Sequence, residues 1–144
     1  MVITIDKELM DEYERIYFKI NPRCRVFPEP FKNPIPMSWN TFITKKRAQQ
    51  NSIKGKYKDF AKWLAFKYKI NNLNLDNVDV TYLFYFRTRA IRDCDNYTLS
   101  AKLINDGFTE AKVWIDDNSN CVGINFPRHR YDKEHPRLEM ILEY

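Results

Sequence analysis

A chain of 144 residues with 44% hydrophobic and 30% charged residues has the length and apolar content for one domain around one core, and no linker-like stretch divides it. It holds no run of 18 apolar residues and no charged, apolar, small-residue leader, which excludes a membrane span and predicts an intracellular, cytoplasmic protein. The net charge of +5 is unevenly spread: residues 41–70 carry nine basic side chains against a single acid, Asp59, so the rest of the chain is net acidic.

Val2–Ile5 reads as a short strand, and Asp6–Phe18 as a helix with Leu9, Met10, Tyr13, Ile16 and Tyr17 on one side and Asp6 as its N-cap. Asn21–Asn40 contains Pro22, Pro28, Pro30, Pro34 and Pro36, each of which removes a donor and biases its predecessor away from helix, so an extended loop is expected. Thr44–Gln50 and Lys54–Tyr68 are predicted as two helical pieces interrupted near Asn51–Gly55. The second shows a stripe of Tyr57, Phe60, Ala61, Leu64, Ala65 and Tyr68. After a polar turn at Asn71–Asn77, Val78–Thr88 alternates as a strand, with Leu83 and Tyr85 on its second face marking it as central. Asn96–Asp106 reads as a helix ended by Gly107 and capped by Asp95 or Asn96, and Cys121–Phe126 and Arg137–Tyr144 are the last strands. The order predicts a single small α+β domain, a mixed sheet with helices packed on it.

Chemistry concentrates between positions 93 and 117. Asp93-Cys94-Asp95-Asn96 follows the alternating strand, and Lys102, Asp106 and the pair Asp116-Asp117 come after it. If Asp93 and Asp95 are extended, their i, i+2 spacing points both carboxylates to one side, where they repel unless a cation lies between them. Magnesium suits such a site, because it takes oxygen ligands, keeps several waters and shares them with substrate phosphate. Asp117 would supply a third carboxylate, and Lys102, about two helical turns beyond Asp95, could stabilise transition-state charge. Each feature also has a structural use. Asp95-Asn96 can cap a helix, Asp116-Asp117-Asn118 can form a turn, and Lys102 can pair with Asp106 at i+4. Cys24, Cys94 and Cys121 read as ordinary thiols, and His129 and His135 have no partner at a ligand spacing.

These intervals resemble the RusA family of Holliday junction resolvases, whose pattern is Asp-x-Asp-Asn, a lysine, an aspartate four residues on, and an Asp-Asp pair whose second member lies eleven residues later. Asp93, Asp95 and Asn96 match the first part, Lys102 to Asp106 keeps the interval of four, and Asp106 to Asp117 the interval of eleven. The step from Asn96 to Lys102 is three residues longer than the commonest one. Pro36-Met37-Ser38-Trp39-Asn40 is also similar to the family's segment before its first basic helix, and the N-terminal part, within residues 1–20, reads as an addition to the family core.

The resemblance implies a RusA-like fold and a homodimeric, magnesium-dependent endodeoxyribonuclease, with manganese as a substitute ion. It would resolve four-way junctions in DNA recombination and repair, and family members are found largely in phages and prophages. It implies metal-binding catalytic roles for Asp93, Asp95 and Asp117 and an essential basic role for Lys102. Lys45, Lys46, Arg47, Lys54, Lys56, Lys58 and Lys62 are the candidates for DNA-backbone contacts. A nuclease for forks or flaps and a non-catalytic branched-DNA-binding protein are the alternatives. A protein-interaction module with a basic face is the third, distinguished by the absence of salt-dependent DNA binding.

Overall fold

The computed structural model describes Met1–Tyr144 and shows the α+β domain expected. Strands β1 (Val2–Ile5), β2 (Val78–Phe86), β3 (Val122–Tyr131) and β4 (Arg137–Glu143) form one sheet in the order β1-β4-β2-β3. The β1–β4 and β4–β2 pairs are antiparallel, and β2–β3 is parallel. Helices α1 (Lys7–Ile20), α2 (Trp39–Ile43), α3 (Arg47–Lys67) and α4 (Leu99–Glu110) complete the fold.

Alternation along the strands decides which face is covered. Val78, Val80, Tyr82, Phe84 and Phe86 of β2, Leu138, Met140 and Leu142 of β4, and Ile3 and Ile5 of β1 are buried in one core with α1, α3 and α4. The alternate residues Thr81, Leu83 and Tyr85 remain partly exposed. Tyr13 of α1 sits at the centre of the aromatic part of this core, its ring 4.8 to 6.3 Å from those of Tyr17, Phe27, Phe31, Phe60 and Trp63. Burial raises its phenol pKa far above the ordinary range. Residues 1–20 therefore belong to the same sheet and core as the rest. Asp6 caps α1 by accepting from the Leu9 amide at 2.9 Å, as its position before the apolar stripe predicts.

Several boundaries differ from the sequence reading: Trp39–Ile43 is a short helix that begins inside the expected loop, the helix expected from Thr44 starts at Arg47, and β2 stops at Phe86. Helix α3 is continuous through Asn51–Gly55, because its buried residues Ile53 and Tyr57 carry the apolar stripe across that polar stretch. A Cβ at Gly55 would meet nothing within 4 Å. Gly55→Ala is accordingly expected to stabilise the protein by about 1 kcal/mol, read as a higher urea midpoint at unchanged m. Helix α4 passes through Gly107 to Glu110, so that glycine is interior to the helix and does not end it. A Cβ there would lie 2.5 Å from the Lys58 carbonyl oxygen and 2.6 Å from the Ala61 Cβ, so Gly107 lets α3 and α4 approach closely. Strand β3 continues past Pro127 to Tyr131, with a register shift opposite Thr81–Leu83. A proline is tolerated there because β3 is the edge of the sheet and the irregularity removes the demand for its missing donor.

Candidate active site

The expected delivery of Asp93 and Asp95 by the end of a strand is not what the structure shows. β2 ends at Phe86, and residues 87–92 intervene. Asp93 is extended (φ −71°, ψ 128°), and Cys94–Tyr97 form a single 3-10 turn. The turn, and not strand alternation, therefore sets the directions of the two side chains. The Asn96 amide donates to the Asp93 carbonyl at 3.2 Å, and the Thr98 amide and hydroxyl donate to the Asp95 carbonyl at 3.1 and 2.7 Å. Thr98, in place of the expected Asp95 or Asn96, occupies the N-cap position of α4, and no side chain caps that helix.

The two motifs singled out in the sequence meet here, although they lie more than fifty residues apart. The Asn96 Oδ1 accepts from the Asn40 amide at 3.0 Å, satisfying an otherwise unpaired donor in the first turn of α2. The Trp39 indole Nε1 donates to the Thr98 hydroxyl at 2.9 Å. Asn96 thus acts as a cap for α2, a helix to which it does not belong. Beneath the turn, the Tyr97 ring packs at 5.0 to 5.4 Å from those of Phe84, Phe86 and His129. The His129 Nε2 is buried without a partner, and burial, assisted by the Arg92 charge, lowers its pKa and favours the neutral ring. His129 is a packing residue of the site's floor. The outcome is a braced turn that leaves the Asp93 and Asp95 carboxylates exposed, with no hydrogen-bond or ion-pair partner.

Asp117 lies elsewhere. The β2-α4-β3 crossover is parallel, so α4 returns the chain from the Phe86 end of the sheet to the Val78 end. Tyr97 beside Phe86, Asn105 accepting from the Tyr82 hydroxyl at 2.8 Å, and the Leu75–Trp114 bridge mark successive stations of that return. At 1.5 Å per residue the twelve residues of α4 separate Asp117 from Asp95 by roughly 20 Å. Asp116 Oδ1 accepts from the Asp117 amide at 2.8 Å and its Oδ2 from Asn118 at 2.7 Å, a local turn that leaves the Asp117 carboxylate exposed and unpartnered. Within one chain no group of three or more His, Cys, Asp or Glu side chains converges as metal ligands. Lys102 is on the solvent face of α4 and bonds Asp106 at 3.1 Å, an exposed i+4 pair of a few tenths of a kcal/mol.

The basic residues of the predicted DNA face divide into two groups. Lys58 and Lys62 are held by Glu110 at 2.6 and 3.2 Å, with Lys62 also 3.2 Å from Asp59, at the far end of α4. The bonds from Lys58 and Lys62 lower the Glu110 pKa. Lys54 lies 5.8 Å from the Phe42 ring centroid, while Lys45, Lys46, Arg47 and Lys56 form no ion pair. A second basic group was missed: Arg87, Arg89 and Arg92 between β2 and the turn, and Arg128 and Arg130 on β3. Their sequence signal, three arginines in six positions directly before Asp93, is diluted in any count of net charge by the acids that follow.

No protein-family model matches this chain, and no curated protein matches it. The functional reading therefore rests on the residues and their geometry.

A wide cleft of about 1630 Å³ lies between α1, the proline-rich loop and the Phe86 end of the sheet. Its lining is mixed in charge: Asp6, Glu8, Asp11 and Glu14 at the start of α1 face a cleft that Arg25, Lys32, Arg87, Arg92 and Arg137 also line. No helix of the protein is long and apolar enough to cross a membrane.

Proposed function

We propose that the protein is a magnesium-dependent, structure-selective endodeoxyribonuclease that acts as a homodimer on branched DNA, with four-way junctions as its substrate. The observation that supports this most is the pair of exposed, unpartnered carboxylates, Asp93 and Asp95, on a turn braced by Trp39, Asn40 and Tyr97. Exposed aspartates that served only as caps would be engaged with backbone amides, and these are not.

The donor set fits magnesium. Two free carboxylates with substrate phosphate and water are a common way to hold this ion; the exposed Cys94 thiol lies between them, but magnesium takes oxygen in preference to sulfur, and the His129 Nε2 is buried in the floor of the site. When bound, the ion supplies charge neutralisation at the phosphoryl oxygens and a more acidic water. The chain's own part is positional. The Asn96–Asn40 and Trp39–Thr98 bonds keep the turn from swinging, and Lys102, once released from Asp106, can neutralise charge on the scissile group. Asp117 joins this set only from a second copy, since a two-fold axis across the strands exchanges the two ends of the sheet.

The roughly 20 Å between Asp117 and Asp95, together with the Lys102–Asp106 pair, favours a second reading in which the protein binds branched DNA without cutting it. Incubating labelled four-way junction, fork and linear duplex with and without magnesium separates the possibilities. Paired symmetric nicks on the junction, present only with the metal, are the expected result. Cutting of forks alone moves the substrate to another branched structure, and binding with no cutting overturns the nuclease assignment.

A further inference from the structure

We propose that nucleic-acid phosphates are gripped by an arginine surface at the Phe86 end of the sheet, formed by Arg87, Arg89, Arg128 and Arg130, and not by Lys58 and Lys62 of α3. The inference rests on the reading of Asp93 and Asp95 as a phosphodiester site and says where the backbone of that substrate runs.

The pairing of charges carries it. Across the molecule most acids near a basic side chain have taken it: Lys58 and Lys62 go to Glu110, Lys67 to Glu12 and Arg137 to Asp132 and Glu139. None of Arg87, Arg89, Arg92, Arg128 and Arg130 has a carboxylate within 4.0 Å, although Asp93 and Asp95 lie in the same segment. A lysine engaged by a carboxylate must give up that partner before it can meet a phosphate, whereas Arg87, Arg89, Arg128 and Arg130 have no carboxylate to give up; the Arg130 Nη1 donates only to the His129 carbonyl, at 3.2 Å. Four of them are exposed, and guanidinium groups present a fork that matches two phosphate oxygens.

Their placement is built into the fold. The Arg92 guanidinium donates to the Thr88 and Ala90 carbonyls at 3.2 and 2.8 Å and to the Thr88 hydroxyl at 2.6 Å, while stacking 3.9 Å from the Phe86 ring centroid. Arg92 therefore shapes the loop and has few donors left for a ligand. Arg89 stacks on Tyr131 of β3 at 4.6 Å, which ties the loop to the strand. The register Leu83↔Arg128 and Tyr85↔Arg130 puts these two arginines side by side on the open face of an edge strand, about 7 Å apart. The loop that carries Arg87 and Arg89 continues directly into Asp93, while Arg128 and Arg130, on the face of β3 opposite His129, extend the basic surface around the open edge of the sheet.

The test is binding of fluorescent four-way junction DNA in EDTA, so that cutting plays no part, over a range of salt. In the triple variant Arg89→Ala, Arg128→Ala, Arg130→Ala, affinity is expected to fall about tenfold or more. The slope of log K against log salt should shrink by about 2.7, near 0.9 for each phosphate that is no longer neutralised. Lys58→Ala with Lys62→Ala should leave both quantities unchanged. Arg128→Glu alone, a single exposed replacement, repeats the test should the triple variant fail to fold, and it too should weaken binding. Native affinity and slope in the arginine variants, with wild-type binding intact, overturn this surface while leaving the nuclease reading standing. A wild-type chain that binds no DNA at any salt overturns both.

Discussion

Asp95→Asn is expected to reduce magnesium-dependent cutting of a four-way junction by about 10³-fold or more, while junction binding in EDTA and thermal stability stay at wild-type values. The substitution keeps the shape of the side chain and removes its charge. Because the Asp95 carboxylate is exposed and has no partner, its loss leaves no donor stranded, and surface changes of this kind stay within about 0.5 kcal/mol. On the proposed reading it removes one of two carboxylate ligands for a hard cation. A variant that still cuts at the native rate excludes Asp95 from the metal site. One that melts early shows that the carboxylate supports the turn after all. Asp93→Asn should behave in the same way. Asn96→Ala should differ, because the Asn96 side chain satisfies the Asn40 amide and bears on structure before chemistry.

Gly107→Val is expected to destabilise the fold by about 3 kcal/mol or more, seen as a lower urea midpoint. A Cβ at this position would sit 2.5 Å from a backbone oxygen of α3, which cannot move aside as a flexible side-chain end could. The branched valine adds two further carbons at the same contact. Either α3 and α4 separate, opening the core around Leu103, Ile104 and Leu64, or α4 shifts along the sheet and strains the Tyr82–Asn105 hydrogen bond. Even Gly107→Ala should destabilise, although alanine is the better helix former. The same replacement at Gly55 has the opposite expected sign, since the space there is open. If both glycines tolerate alanine equally, the close approach of the two helices is not required by the fold.

Several features were legible because they depend on neighbours in the chain. The stripe Leu9, Met10 and Tyr13 behind Asp6 marked a capped amphipathic helix, and the alternation of Val78 to Phe86 marked an internal strand. The polar Asn71–Asn77 stretch marked a turn, and Asn72 and Asn74 adopt the left-handed backbone that asparagine tolerates. Proline misled at position 127, where an edge strand with a register shift accommodates it. Glycine misled twice, because the use of Gly107 is a contact with another helix, and because Gly55 merely weakens a helix that packing sustains.

The sequence by itself determined the class of the fold, most of the core and the candidate residues Asp93, Asp95, Lys102 and Asp117, because periodicity and residue chemistry are local properties. Only the tertiary structure decided which of these meet. A crossover along the sheet is invisible in spacing: Asn96 and Thr98 meet Asn40 and Trp39 at the Phe86 end, and the parallel return through α4 then sends Asp117 to the opposite end. Charge behaved likewise: every lysine of α3 counts equally in the sequence, yet Glu110 neutralises two of them, and folding leaves Arg87, Arg89 and Arg92, just before Asp93, without a carboxylate partner. The physical reason is that Coulomb and hydrogen-bond partners are set by distances of a few ångströms in space, which chain separation does not measure.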